Sequence, residues 1–270
     1  MKNRRLAAPY LLWMTLFTVI PIFVVVYFAF SDSITGGFSL ENFAALGSYS
    51  HIMAKSIYLA LISAFVCLII GYPAAYYIAS LPPKAQRWLY LLIMLPMCMS
   101  FLLKTLSWVS LLEDTGIINS LLGKLGVEPL PLIRNNGAVV LGIVYNFLPY
   151  MIMPLFSVLE KMDKRLLEAA SDLGCSPLQV FTKVILPLSV PGIVSGLTMV
   201  FVPAVSTFYI SRKLGSPGTV LMGDVIETQF KTAYNPNLGA ALSLLLMVIV
   251  LFCIFLMNKF SGSYKEEVTI

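Results

Sequence analysis

The side chains of this 270-residue sequence form none of the familiar sets that carry out covalent chemistry. A phosphate-binding loop needs GxxxxGK followed by Ser or Thr, yet the one Gly-Lys pair, Gly123-Lys124, is followed by Leu125. His51 is the single histidine, and neither a GxSxG nor an HExxH pattern occurs. The four cysteines show no metal-ligand or disulfide spacing. The sequence therefore predicts a chain with no catalytic residues and no cofactor or metal of its own.

The polar residues that do form a pattern lie in the segment Glu160–Gly196, which is charged and lies between long apolar runs. Apolar residues recur there at helical intervals in two groups, Leu166, Leu167, Ala170 and Leu173, then Leu178, Phe181, Val184 and Ile185. The segment therefore predicts two short helices outside the bilayer. Pro187 and Pro191 are expected to interrupt the second helix where the next apolar run begins.

The ends of these two helices carry the residue types that helix ends prefer. Asp163 suits the N-cap of the first helix, and Gly174 tolerates the left-handed conformation in which many helices stop. Ser176, followed by Pro177 and by Gln179 at the third helical position, has the pattern of a capping box. The segment 160–187 thus predicts a compact helix–turn–helix at a membrane surface.

The first of these helices contains residues suited to binding another protein. Ala169 and Ala170 are small enough to let a second surface approach the backbone closely, and Glu168 beside them offers a directional polar contact. The alternative is an ordinary amphipathic helix that lies on lipid. The physical chemistry of the residues leaves both interpretations open.

This segment resembles the EAA signature of permease subunits in bacterial ABC importers. The family pattern is EAA, three residues, Gly, nine residues and I-x-LP. Here Glu168-Ala169-Ala170 is followed at those spacings by Gly174 and by Val184-Ile185-Leu186-Pro187, with Val in place of the family's Ile. The resemblance implies that 160–187 is a coupling-helix loop that sits in a cleft of a cytoplasmic ATPase, with Glu168, Ala169, Ala170 and Gly174 as the contact residues.

Composition predicts that the whole chain is membrane-embedded. Hydrophobic residues make up 59% of the sequence and charged residues only 11%, against about 25% charged in a typical soluble domain. Six apolar runs are long enough to cross a bilayer. They are Leu6–Phe30, Ile57–Ala79, Trp88–Leu112, Ala138–Leu159, Leu188–Ile210 and Leu238–Met257. Because Lys and Arg flank these runs instead of clustering on one element, a nucleic-acid partner is not expected.

The distribution of Lys and Arg predicts that both termini lie in the cytosol. With that orientation the inner segments hold eleven basic residues and the outer ones six, as the positive-inside rule requires. Lys104 lies within the third run, where it could snorkel to the outer surface, the favoured interpretation, or face a pathway. The orientation places 160–187 on the cytosolic side, where an ATPase would be.

The outer segment 211–237 is too apolar for a free loop and is expected to contain a short helix, Leu221–Phe230, packed at the outer mouth. Asp224 and Glu227, three residues apart, would share one face of it and could attract cations. A solvated acidic edge is the slightly favoured alternative. Tyr145, in the fourth run, is a further candidate for contact with an organic cation.

A resemblance that covers more of the chain indicates the class of solute. The stretches GYPAAYYIASLP from Gly71, LLEDTGIINSLLGKLG from Leu111 and VYNFLPYMIMPLFSVLEKMDKRLLEAASDLG from Val144 resemble the spermidine/putrescine branch of ABC importers, most closely its B-type permease. Lys104 and Asp224 depart from that branch, which has Arg and Asn there. The resemblance covers nearly all of residues 1–270 and implies one all-α polytopic domain of six transmembrane helices, the type I importer permease fold.

The same resemblance implies a set of partners in a bacterial cell membrane. They are a homologous C-type permease, two copies of a cytoplasmic ATPase that binds ATP and Mg, and an extracytoplasmic polyamine-binding protein. Two alternatives stay open: an importer permease for another solute, such as ferric iron, thiosulfate or an amino acid, and an ion-coupled secondary transporter. The latter is disfavoured because paired ionisable residues near the membrane centre are missing from the sequence. A membrane enzyme would need a catalytic motif that the sequence does not contain.

Overall fold

The computed structural model describes residues 8–32 and 36–268, which are helical almost throughout. Within those residues the only strand-like pairing is an isolated bridge between Ser31 and Phe38. The helices are α1 (8–29), α2 (Glu41–Ser80), α3 (Pro83–Cys98), α4 (Phe101–Leu112), α5 (Ile117–Lys124), α6 (Asn136–Glu160), α7 (Lys164–Asp172), α8 (Pro177–Val205), α9 (Tyr209–Leu214), α10 (Met222–Lys231) and α11 (Pro236–Val268). The predicted all-α class is confirmed.

Five of these helices are individually long and apolar enough to cross a membrane, namely α1, α2, α6, α8 and the Pro236–Lys259 part of α11. The third predicted crossing, Trp88–Leu112, is not one helix. The chain bends by 89° between Pro83–Cys98 and Phe101–Lys124, because Met99 and Ser100 are extended and Pro96 lies in a tight 3₁₀ turn before them. A sixth crossing exists only as this broken pair.

The core of the protein lies where α2, α6 and α8 pack against one another. Small residues make this packing close. A Cβ at Gly71 of α2 would lie 3.0 Å from the Met151 side chain, and a Cβ at Gly196 of α8 would lie 2.6 Å from the sulfur of Met151. Close backbone approach through small residues is the usual way in which membrane helices associate.

The two outermost helices cover little of this core. α1 is almost entirely exposed along its length and packs on α11 chiefly where Ala29 meets Ala240 and Ala241. Exposed aromatic and aliphatic side chains continue along both helices. Such surfaces belong in lipid or against another membrane subunit, so the chain is a multi-pass membrane protein.

α8 differs from the predicted arrangement at both of its ends. It is continuous from Pro177 to Val205, so Pro187 and Pro191 do not interrupt it. A π-helical turn, Phe181–Ile185, ends two residues before Pro187, and such a turn accommodates the loss of the backbone hydrogen bond that a proline cannot donate. At the other end the helix stops at Val205, five residues before the predicted end at Ile210.

Two further boundaries differ. The segment 31–56, which separates the first two predicted crossings, is helical from Glu41 onward, so His51 lies within α2. The start predicted for the first crossing, Leu6, lies outside the described residues. The last helix extends well beyond the predicted end at Met257.

Candidate functional site

The turn between α7 and α8 has the local structure that its sequence predicts. The Asp163 carboxylate accepts the Arg165 N–H at 3.0 Å and caps α7, and Gly174 ends that helix with φ +83°. Ser176 and Gln179 then form the reciprocal capping box. The Gln179 backbone N–H donates to the Ser176 hydroxyl at 3.4 Å, and the Ser176 backbone N–H donates to the Gln179 side-chain carbonyl at 2.9 Å. We call residues 163–180 the elbow.

The elbow exposes most of the residues predicted to bind a partner. Glu168, Ala169 and Gly174 are exposed, whereas Ala170 is buried against the rest of the protein. Leu173 is 86% exposed and Leu178 72% exposed, although both belong to apolar helical groups of the sequence. Exposed apolar side chains beside a carboxylate fit both interpretations drawn from the sequence, a protein partner and a lipid surface.

A cleft of about 300 Å³ lies beside the elbow, and Glu168 is one of its lining residues. The cleft is bounded by Tyr76 and Ser80 near the end of α2, by Glu160 at the end of α6 and by Leu167 of α7. Glu168 therefore lies where α7 meets the ends of two core helices.

The other predicted acidic residues lie at the opposite end of the core. Since α6 runs into the elbow and α8 runs out of it, the residues before α6 and after α8 are at the far end of both helices. There Asp224 is 4% exposed, and its carboxylate accepts the Ser211 hydroxyl at 2.6 Å and the Leu221 N–H at 2.9 Å. The predicted solvated acidic edge is wrong for Asp224, because α9 covers this residue.

Arg212 holds both predicted carboxylates. Its Nε lies 3.0 Å from Oδ1 of Asp224, and its Nη1 lies 2.6 Å from Oε2 of Glu227. Lys231 also pairs with Glu227, at 2.8 Å. Burial raises the pKa of the Asp224 carboxyl, while the hydrogen bonds from Ser211 and Leu221 and the charge of Arg212 act against that rise. Asp224 and Glu227 thus share one face of α10, as their spacing predicts, and Arg212 and Lys231 already neutralise their charges.

Tyr145, the third predicted contact residue, lies in α6 and is 37% exposed. Its ring meets that of Trp108 edge to face, with centroids 5.3 Å apart. The next residue, Asn146, is 2% exposed; its amide donates to the Gly142 carbonyl, and its Oδ1 has no hydrogen-bond partner. Tyr145 of α6 and Trp108 of α4 thus form an aromatic pair, and the residue after Tyr145 carries an unused buried acceptor.

Lys104 does not snorkel as predicted. It is 7% exposed and lies in the first turn of α4, where its N–H donates to the Ser100 carbonyl. The prediction treated the third run, Trp88–Leu112, as one straight helix, and the break at residues 99–100 removes that premise.

Sequence reasoning missed Arg212 and Asn146. A signal for Asn146 is present in the sequence, since a polar amide within an apolar crossing is a candidate functional residue by itself. Arg212 is separated by twelve residues from Asp224, so no helical spacing connects them. Among the described residues no group of three or more His, Cys, Asp or Glu side chains could hold a metal ion.

A family model described as "Binding-protein-dependent transport system inner membrane component" matches residues 68–261, which include the elbow and the core helices α6 and α8. The chain belongs to this family of membrane components of binding-protein-dependent importers.

Its relatives agree with the resemblance drawn from the sequence, which is confirmed. The Escherichia coli (strain K12) "Spermidine/putrescine transport system permease protein PotB" is 36% identical over 247 residues, which are 88% of this chain and 90% of the relative. The Haemophilus influenzae PotB is 35% identical over 259 residues, or 92% and 91% of the two chains. A crystal structure of a bacterial ABC transporter involved in alginate import contains a similar chain, with a TM-score of 0.75, 17% identity and coverage of 96% and 94%. That likeness shows the shared permease fold.

Proposed function

We propose that this chain is one of two transmembrane subunits of a bacterial ABC importer that carries polyamines of the spermidine/putrescine class into the cell. The observation that supports the transport role is the capped elbow, which leaves Glu168, Ala169 and Leu173 exposed for a partner. The similarity to two PotB permeases over about nine-tenths of the chain supports the polyamine as solute.

In this proposal residues 1–270 are a single permease domain with both termini in the cytosol. The loop 160–187 is the cytosolic coupling loop, and the segment 211–237 lies at the outer face. A homologous C-type permease completes the pathway, and two copies of a separate ATPase bind ATP and Mg. This chain holds no cofactor. An extracytoplasmic binding protein delivers the polyamine.

The contacts around the elbow suggest how ATP hydrolysis is transmitted. Closure of the ATPase pair pushes on the exposed residues Glu168 and Ala169 of α7 and on Leu173, which directly follows that helix. The elbow continues into α8 without a break, and Tyr72 of α2 shares a 2.9 Å hydrogen bond with Ser189 of α8. Movement of the elbow therefore shifts α2 and α8 together.

Along the pathway, Tyr145, Asp224 and Glu227 are the proposed cation contacts. Tyr145 offers an aromatic face of the kind that organic ammonium groups prefer. Asp224 and Glu227 are paired with Arg212, so their contact with a polyamine requires that the guanidinium move away.

Uptake of radiolabelled spermidine and putrescine by cells that express the whole operon tests the proposal. The chain with Glu168→Lys is compared with the natural chain, and Lys161→Glu, an exposed charge reversal before α7, is the matched control. Immunoblots of membranes check that all three are present at equal levels.

We expect ATP-dependent uptake that Glu168→Lys abolishes and Lys161→Glu preserves. Normal uptake by the Glu168→Lys chain would exclude the coupling role. Uptake of a different solute would retain the importer and replace the polyamine, and uptake by this chain expressed alone would indicate a secondary transporter instead.

A further inference from the structure

Lys104 carries a buried ammonium group that has no counter-charge in this chain. The residue is 7% exposed. Among the residues that the structure describes, no carboxylate lies within 4.0 Å of Nζ, and Nζ donates no hydrogen bond. Nζ is not fully enclosed, however, so the end of the side chain can be reached from outside the chain. Lys104 thus has a covered stem and an accessible, unpaired charge.

The break before α4 adds backbone donors beside this charge. α4 begins without a side-chain cap, and in the described part of the chain the N–H groups of Phe101, Leu102 and Leu103 have no acceptor. Side chains on a helix lean toward its N-terminus, which brings the Lys104 ammonium toward these N–H groups. The positive end of the helix dipole lies at the same place. The first turn of α4 is therefore a cluster of donors that lacks an acceptor.

This cluster lies at about half the height of a membrane-crossing helix. The ring of Phe101 lies 6.4 Å from that of Phe147, measured between centroids. Two turns further along α4, Trp108 meets Tyr145 as described above. Tyr145 and Phe147 are the tenth and twelfth of the 25 residues of α6. The first turn of α4 is therefore remote from the bulk water at either surface, where an unpaired charge is strongly unfavourable.

The crossings of this chain cannot supply the missing counter-charge. Asp and Glu are absent from every stretch of sequence that holds a crossing, namely 1–31, 42–112, 129–159, 173–223 and 228–265. A shift of one crossing past another would therefore bring no carboxylate to Lys104. The counter-charge has to come from another molecule.

Other molecules of the membrane and the importer fit the position poorly, with one exception. A polyamine is a cation and is repelled, lipid phosphates lie at the headgroups, and the extracytoplasmic binding protein lies outside the membrane. Leu102 and Leu103, beside Lys104, are 49% and 60% exposed. An apolar surface at this height around a charge suits a second protein within the membrane, whose carboxylate the charge would select.

We infer that Lys104 forms an ion pair with a carboxylate side chain of the second transmembrane subunit, which also accepts hydrogen bonds from the first turn of α4. The inference rests on the proposed function for the existence of that subunit. It adds the residue of this chain that binds the subunit within the membrane and the type of residue that the subunit presents. It also explains how the chain keeps an ammonium group where its own sequence offers no counter-charge.

Zero-length cross-linking of the purified complex of this chain, the second subunit and the ATPase tests this inference. Dicyclohexylcarbodiimide is apolar enough to enter the membrane region, where it activates a carboxyl group so that a contacting lysine amine forms an amide with it. Mass spectrometry of the cross-linked peptides identifies both residues. The melting temperature of the complex is measured alongside, with chloride and with gluconate as the anion.

Three variants are compared with the natural chain. Lys104→Met keeps the length of the side chain and removes its charge, and Lys104→Arg keeps the charge but cannot form the amide. Lys124→Met is the matched control, since Lys124 is exposed in α5 and lies outside the crossings.

We expect an amide between Lys104 and an Asp or Glu of the second subunit in the natural chain and in the Lys124→Met chain. The Lys104→Met complex should melt about 5 °C lower or more, because the partner's buried carboxylate then has no counter-charge. Lys104→Arg should melt close to the natural complex and give no cross-link at residue 104. If Lys104 were unpaired in the complex, Met would raise the melting temperature instead.

A natural complex without a cross-link from Lys104 would overturn the inference, and so would a Lys104→Met complex that melts as high as the natural one. A melting temperature that depends on chloride, with no cross-link, would show that a free anion occupies the site. If Lys104→Met does not assemble, the cross-link in the natural chain decides. Purification of the chain with an ATPase but without a second transmembrane subunit would defeat the proposed function itself. The cross-link combined with uptake of another solute would defeat only the polyamine assignment.

Discussion

Arg212 and Asp224, twelve residues apart in the chain, are joined by a 3.0 Å contact between Nε and Oδ1 that fastens α9 to α10. The same guanidinium reaches Glu227. Replacing Arg212 by Met would leave the buried Asp224 carboxylate without its counter-charge. Because the Arg212 side chain is partly exposed and water can replace some of its bonds, we expect a loss of about 2 kcal/mol in unfolding free energy. Thermal or denaturant unfolding of the purified complex measures it.

Lys231→Gln is the control for that prediction. Lys231 pairs with Glu227 at i,i+4 spacing on the surface, where its side chain is 72% exposed. Exposed pairs of this kind contribute at most about 0.5 kcal/mol, so the melting temperature should hardly change. Equal losses in both variants would mean that the burial of Asp224 has no energetic consequence.

Gly174→Ala should strain the elbow, whereas Gly174→Asn should be better tolerated. Gly174 has φ +83° and open space around the position of a Cβ, so the effect comes from the backbone alone. A non-glycine residue in the left-handed conformation costs about 1 kcal/mol, and Asn adopts it more readily than Ala. We expect ATPase activity that is poorly coupled to transport in the Ala variant and close to natural in the Asn variant, measured in proteoliposomes. Equal coupling in both variants would show that the left-handed conformation of residue 174 is not needed to couple ATP hydrolysis to transport.

Gly196→Ala should loosen the packing of α8 on α6. A Cβ there would meet the sulfur of Met151 at 2.6 Å and the Met151 carbonyl oxygen at 3.2 Å, and the carbonyl cannot rotate away. Overpacking of this kind costs about 1–3 kcal/mol. Unfolding in mild detergent should show it as a lower transition temperature.

The matched substitution is Gly123→Ala. Gly123 lies in α5 with nothing within 4 Å of a Cβ, so the added methyl group should be neutral or slightly stabilising through helix propensity. A transition temperature in Gly196→Ala as high as that in Gly123→Ala would contradict the close contact between α6 and α8.

Asn146→Leu should separate stability from transport. The buried Oδ1 of Asn146 has no partner, so an apolar side chain of the same branched shape removes an unpaired acceptor and should leave stability unchanged or raise it by about 1 kcal/mol. If the acceptor serves a cargo ammonium during transport, uptake falls although the protein is no less stable. Natural uptake by a stable Asn146→Leu chain would assign Asn146 no role in the pathway.

Several features follow from the sequence because their causes are local. The caps of the elbow depend on residues at most three positions apart, such as Ser176 and Gln179, and the structure reproduces them. The apolar runs define membrane-crossing helices because the bilayer sets their length. The spacing of Asp224 and Glu227 places both on one face of α10 because residues three positions apart in a helix are neighbours.

Other features depend on contacts between distant parts of the chain, and the sequence does not contain them in readable form. The chain bends at Met99 and Ser100 although the apolar run continues through both. The exposure of Leu173 and Leu178 depends on which surfaces α2 and α6 leave uncovered. Helical periodicity predicts that a residue has apolar neighbours on its own helix, and says nothing of what lies opposite them.

The sequence alone thus determined the helical class, the crossings that are continuous, the elbow with Glu168 and the family, because each depends on composition or on residues a few positions apart. Tertiary structure decided which charged side chains are paired at the end of the core opposite the elbow. There Arg212 neutralises the two predicted carboxylates, while Arg134 and Lys213 are left free. The physical reason is that a charge pairs with whichever opposite charge the fold brings within reach, and the fold brings together residues from three separate segments.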